Sequence, residues 1–199
     1  INNKGGVAKS TLSKILCEYF VRKGKRVLGI DVDPQCNFSM RFVDIDTKTY
    51  SPVTHPDFDP NDPLWDELPT PPPGYWSVAQ FYRLGYVVPY PTCYENMKFI
   101  PSSKLELVDF LEKVEKSSLE EEVINHMREM LSMDYYQDEF DVVIVDNPPQ
   151  ISALTASTAR AATHILIPTE MQEDSVNGMA DTSLLWQTEN EYRQDDELK

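Results

Sequence analysis

Lys4-Gly5-Gly6-Val7-Ala8-Lys9-Ser10-Thr11 is the stretch that decides the fold. Two lysines five positions apart flank a pair of glycines, and the run leads straight into an amphipathic segment. A loop that opens a helix in this way turns unpaired backbone N–H groups and the positive end of the helix dipole towards an anion. Lys9 and Ser10 stand where a P-loop places its phosphate lysine and its magnesium-binding hydroxyl. The strict pattern G-x-x-x-x-G-K-[ST] would need glycine at positions 3 and 8, where this chain has Asn3 and Ala8. A methyl at position 8 crowds a phosphate cradle and costs about 1–2 kcal/mol if the backbone there is left-handed. The bland alternative is a lysine-rich helix start that binds nothing.

Outward from the loop, Ser10 to Lys23 reads as a helix with Leu12, Ile15, Leu16, Tyr19 and Phe20 on one face and Gly24 as its stop. Val27-Leu28-Gly29-Ile30 is an apolar run suited to a buried parallel strand, and it empties into Asp31-Val32-Asp33-Pro34-Gln35-Cys36-Asn37. A second such strand, Asp141 to Val145, ends in Asp146-Asn147-Pro148-Pro149. Carboxylates at the carboxyl ends of buried strands sit where open α/β sheets bind ligands. Two plainer readings stay open. Asp-x-Asp also serves metal-bound diphosphates in sugar transferases, which lack the preceding P-loop, and Asp146 could cap a helix from Ile151 to Ala162.

The three segments together resemble the motif set of the ParA/MinD-type deviant Walker A ATPases: K-G-G-x-x-K-[ST], D-x-D-P-Q-x-N and D-x-P-P. The resemblance spans Ile1 to about Leu185 and is poor in the middle. It implies an α/β fold, a mostly parallel twisted sheet with helices on both faces, with Mg²⁺ and ATP as cofactors. Lys4, Gly5, Gly6, Val7, Ala8, Lys9, Ser10 and Thr11 would line the nucleotide. Lys9 would hold β- and γ-phosphate oxygens, Ser10 would ligate Mg²⁺, and Asp31 and Asp146 would act on the metal through water. Asp33 would orient the attacking water. Lys4 matches the signature lysine that crosses a dimer interface to the partner's phosphates, as an arginine finger does.

The function so implied is that of a ParA-type ATPase. It would dimerise across ATP and bind nonspecific nucleoid DNA through a C-terminal region beyond residue 199. A ParB-like or cargo-adaptor protein would reset it by stimulating hydrolysis. The cycle would segregate a plasmid or chromosome, or space a cargo such as carboxysomes; Ala8 and the aromatic insertion tilt towards that cargo-positioning branch. A cytoplasmic, nucleoid-associated place follows, with no membrane partner. A MinD-like membrane ATPase and a metabolic P-loop synthetase are the alternatives, and Ala8 also suggests a module that binds nucleotide without hydrolysing it.

Residues 1–199 read as one P-loop domain core, truncated at both ends, without most of its first strand and its C-terminal strands and helices. The net charge of −15 argues against a broad nucleic-acid footprint on this segment. Charge is uneven, with seven Lys/Arg against one acid in residues 1–26 and four against eighteen in 118–199. Cys17, Cys36 and Cys93 lack C-x-x-C spacing, which suggests small buried thiols in a reduced compartment and excludes a cluster-ligating relative such as nitrogenase iron protein. His55, His126 and His164 show no ligand spacing, and His164 reads as a strand-end or core residue. No apolar run reaches membrane-spanning length.

An insertion at about 44–74 is the individual part of the chain. Tyr50 to Gly74 holds eight of the fifteen prolines, so it predicts an extended surface excursion. Trp65, Tyr75 and Trp76 would give it an apolar docking surface, with a variable loop as the plainer reading. Helices are expected over Trp76–Leu84, Lys104–Val114, Leu119–Met133 and Asp174–Trp186, and strands over Met97–Ile100 and Ile165–Ile167. The methionines of the 119–133 helix read as core filler. Glu170, after the last strand, would approach the nucleotide or the second subunit.

Overall fold

The computed structural model describes residues 8–59, 74–117, 120–168 and 173–197. Lys4, Gly5, Gly6, Val7, Trp65, Leu119 and Glu170, named above, lie outside the described residues, as do residues 60–73 of the insertion.

Helix α1 (Lys9–Arg22) begins directly after Ala8 and ends at Lys23. Gly24 then turns the chain at φ 74°, a conformation that a Cβ would strain. The chain enters β1 (Val27–Asp31), all five residues of which are buried. A strand buried on both faces needs strand neighbours and a helix layer on either side.

Those layers are supplied downstream. In order come β2 (Ile45–Asp46), β3 (Ser51–Pro52), α2 (Val78–Leu84), β4 (Tyr90–Pro91), β5 (Met97–Ile100), α3 (Lys104–Glu115) and α4 (Glu120–Leu131). Then follow α5 (Asp134–Glu139), β6 (Val142–Asp146), α6 (Ala153–Ala161) and α7 (Glu173–Glu197). The main sheet runs β4-β5-β1-β6, while β2 and β3 form a separate antiparallel ladder. β1 is parallel to β5 and to β6, and β4 lies antiparallel on the edge.

Side chains alternate across this sheet. Val27, Met97 and Phe99 pack with Cys17 of α1 and with Phe38 on one face. Leu28, Ile30 and Ile100 meet Phe81, Leu107, Met127 and Leu154 of α2, α3, α4 and α6 on the other. Helices therefore cover both faces of a mostly parallel sheet. At the centre of β1 a Cβ on Gly29 would stand 2.6 Å from the Phe99 ring, so the aromatic fills the space a side chain would need. Met127 and Met130 are core filler.

Several expectations are corrected. The face that α1 turns to the sheet carries Ser10, Ser13 and Cys17; Ile15 and Tyr19 are 54% and 52% exposed. Ile165-Leu166-Ile167 is not a strand, because none of the described residues offers it a ladder partner. His164 beside it is exposed. Trp76 does not belong to a docking surface: it is fully buried, and Tyr75 packs against the same core. Cys93 is exposed, although Cys17 and Cys36 are buried as expected. Among the described residues no helix is long and apolar enough to cross a membrane.

Candidate functional site

β1 and β6 end side by side, and their register sets Asp31 opposite Asp146. Paired residues of parallel strands leave the sheet on the same face, and here that face is covered by α1. Asp146 meets the helix directly. Its Oδ2 accepts the Ser10 hydroxyl at 2.6 Å and its Oδ1 accepts the Ser13 hydroxyl at 3.0 Å. Ser10 and Ser13 are one helical turn apart, so a single carboxylate reaches both. Burial pushes Asp146 up from the usual carboxylate range, and the two hydroxyls pull it back.

Asp31 is fully buried and faces a loop of its own. Its Oδ1 accepts the Asp33 N–H at 3.0 Å, while its Oδ2 accepts the backbone N–H and the hydroxyl of Ser39 at 2.8 and 2.7 Å. Burial first, and then the Asp146 charge, push Asp31 up to about 7 against those three bonds. Asp33 sits at the mouth of this loop, 7% exposed. Its carboxylate accepts the Gln35 N–H at 2.9 Å, a local Asx turn, and its carbonyl accepts the Cys36 N–H at 3.0 Å. Cys36 closes that turn with a left-handed backbone, φ 57°.

The other wall is the start of α1. Ala8 holds φ 58°, ψ 25°, so the left-handed conformation in doubt at this position is present, with a methyl on it. Lys9 follows. Burial lowers its pKa, and the charges of Asp33 and Asp146 oppose that shift, which places the ammonium within electrostatic reach of both. Thr11 is exposed on the first turn. The sequence-predicted residues Ala8, Lys9, Ser10, Asp31, Asp33 and Asp146 thus meet at one end of the sheet.

Asp146 does not cap the following helix. Ser152 occupies that place with an extended backbone, and its N–H donates to Thr155 Oγ1 at 2.7 Å. Two residues of the cluster were not singled out from the sequence. Ser13 had a signal, because it lies three residues after Ser10 on the same helix. Ser39 had none, since nothing local marks a serine six residues beyond Asp33.

A helix start, a lysine, a hydroxyl beside a carboxylate and a second aspartate are the residue types that suit a phosphate and a hard divalent cation. The donors are all oxygen, in keeping with Mg²⁺, which takes one or two protein oxygens and keeps several waters.

The profile of the AAA domain family (AAA_31) matches residues 1–197. A candidate replication protein A of Rhizobium rhizogenes is 30% identical over 182 residues, covering 90% of this chain and 41% of that protein. Maintenance of carboxysome distribution protein A of Synechococcus elongatus is 26% identical over 181 residues, covering 89% and 59%. Among solved structures, cobyrinic acid a,c-diamide synthase of Mycobacterium smegmatis with a bound ATP analogue and magnesium superposes with a TM-score of 0.65 at 25% identity, over 94% of this chain and 66% of that one. The chain spans about two-fifths of the length of the first curated relatives it matches.

Proposed function

The chain belongs to the AAA domain family (AAA_31), as a P-loop ATPase of ParA/MinD type, and from that premise we propose that it binds Mg²⁺ and ATP, dimerises across the nucleotide and hydrolyses it. In this reading the backbone from Gly5 to Ser10 cradles the phosphates and Lys9 neutralises their β- and γ-oxygens, with Thr11 beside the α-phosphate. Ser10 would hold the metal through its hydroxyl, and Asp146 would act on it through water. Asp31 supports that water shell from the adjacent strand while bracing the Asp33 loop. Asp33 orients the attacking water. Lys4 reaches the partner's phosphates. Phosphoryl transfer asks mainly for positioning and charge neutralisation, which these residue types supply without a covalent nucleophile.

The observation that carries the reading is the 2.6 Å contact between Ser10 and Asp146. It joins the first turn after the phosphate loop to the end of a buried strand, so that a hydroxyl and a carboxylate that would hold a hydrated metal stand together.

The ATP-bound dimer would bind nonspecific DNA, and a partner protein would stimulate hydrolysis and release it. The relative that maintains carboxysome distribution supports a positioning role, with plasmid or chromosome partition as the related task of the family. The likeness to a synthase supports a second, biosynthetic reading. One experiment separates them: mobility of the full-length protein, with the C-terminal region expected beyond residue 199, on random-sequence DNA with ATP, ADP or no nucleotide. Retention with ATP alone supports the partition cycle. Retention regardless of nucleotide, or none in any state, counts against it.

A further inference from the structure

We propose that Ser39 is a positioning residue for the hydrolytic step: through Asp31 it sets where the Asp33 carboxylate stands. The inference rests on the ATPase reading above and extends it to a residue outside the nucleotide motifs.

The loop from Asp33 to Ser39 is held at both ends by one side chain. Asp31 Oδ1 takes the Asp33 N–H, and Asp31 Oδ2 takes the N–H and the hydroxyl of Ser39. Ser39 itself is fully buried. Its hydroxyl has one proton, given to Asp31, and its oxygen accepts the Ser102 N–H at 2.9 Å. Ser102 follows β5, the strand paired with β1 through Ile30 and Ile100. The hydroxyl therefore ties the far end of the loop to two adjacent strands at once. Between the anchors, the Gln35 N–H bond to the Asp33 carboxylate fixes that side chain from within the loop. A carboxylate that must hold a water in line for attack depends on such second contacts.

Ser39→Ala removes one donor from Asp31 and leaves the Ser102 N–H without its acceptor, while the Ser39 backbone bond to Asp31 survives. The loop loosens at one end. Ser10, Ser13 and Asp146 on the phosphate-binding wall make no hydrogen bond to Ser39, so turnover should fall further than ATP binding.

The test measures kcat and KM for Mg-ATP, with equilibrium binding of a fluorescent ATP analogue, for wild type, Ser39→Ala and Ser39→Thr. A kcat reduced about tenfold or more in Ser39→Ala, with KM and analogue affinity within about twofold of wild type, supports the proposal. Recovery in Ser39→Thr, which restores the hydroxyl, supports it further. A Ser39→Ala kcat near wild type overturns it, and so does a rise in KM at unchanged kcat, or a threonine variant no better than alanine. If Ser39→Ala does not fold, Ser39→Cys, with similar volume and a weaker donor, decides: reduced kcat supports the inference and a wild-type kcat overturns it. A wild type that neither binds nor hydrolyses ATP removes the function reading as well; normal wild-type turnover beside an unaffected Ser39→Ala removes this inference alone.

Discussion

Asp31 and Asp146 are register partners on adjacent parallel strands, and the two carboxylates are 0% and 2% exposed. Placing two acids side by side in low dielectric disfavours ionising both. The cluster therefore stores an electrostatic cost that a cation can relieve, and the Lys9 ammonium lies within electrostatic reach of Asp146.

A pH dependence follows from that pair. Asp31 is pushed up to about 7 in the folded chain, chiefly by burial, against an unfolded value of about 3.9. Between those values the folded state holds a proton that the unfolded state has lost, so stability falls as pH rises. Asp146, also shifted upward, adds to the same trend. Without nucleotide or metal, stability should decline from pH 5 to pH 8 by on the order of a few kcal/mol at most, read as a falling thermal midpoint. Asp31→Asn should flatten that decline, at some cost in stability at pH 5, because its amide faces N–H and O–H donors.

Ala8 carries a left-handed backbone at φ 58°, so glycine should be the more comfortable residue there. Ala8→Gly is expected to stabilise the chain by about 1 kcal/mol, read as a higher urea midpoint. The same change should raise ATP turnover by removing a methyl from the phosphate cradle. An unchanged rate would dispose of the idea that this residue slows hydrolysis.

Ser10 and Ser13 share one carboxylate but differ in what they are asked to do. Ser10→Ala should abolish the magnesium dependence of ATP binding. Ser13→Ala should leave magnesium binding in place and weaken it about tenfold, because only the orientation of Asp146 is lost. Titrations of ATP affinity against magnesium distinguish the two.

Arg160 anchors α7 to the layer beneath. Its guanidinium, 4% exposed, donates to Glu189 at 2.6 Å, with Glu189 itself 7% exposed, and also reaches Glu121 and Asn125. Arg160→Ala should destabilise by about 3–5 kcal/mol, since it strands the buried Glu189 carboxylate. Glu121, 68% exposed, is expected to contribute under about 1 kcal/mol when changed to glutamine. Denaturant unfolding of the two variants checks the contrast.

Where local pattern and tertiary packing agree, the fold was legible in the chain. Met97–Ile100 is the strand expected, and Val27 to Ile30 needed only Asp31 added at its end. Among the described residues, Lys9 and Ser10, Asp31 and Asp33, and Asp146, read from their places at a helix start and strand ends, converge in space. Periodicity failed on α1, because an apolar count cannot know that Asp146 draws Ser10 and Ser13 to the sheet and so rotates Ile15 and Tyr19 outward. It failed again on Ile165-Leu166-Ile167, where apolar content alone does not provide a ladder partner. Trp76 was misplaced for a related reason: proline-rich neighbours suggested surface, yet the ring is in the core. Ser39 acts through contacts with Asp31 and Ser102, which lie 8 and 63 residues away in the chain, and no spacing rule reaches that far.

The central claim is that ATP is gripped between two subunits, with Lys4 of each reaching the other's pocket. Sedimentation equilibrium of Asp33→Ala, which should bind without hydrolysing, tests it most directly in Mg²⁺ with ATP, with ADP and without nucleotide. The account predicts a dimer holding one ATP per subunit with ATP only, and its loss in the Lys4→Ala background. A single species of monomer mass with no bound nucleotide under all three conditions would contradict it.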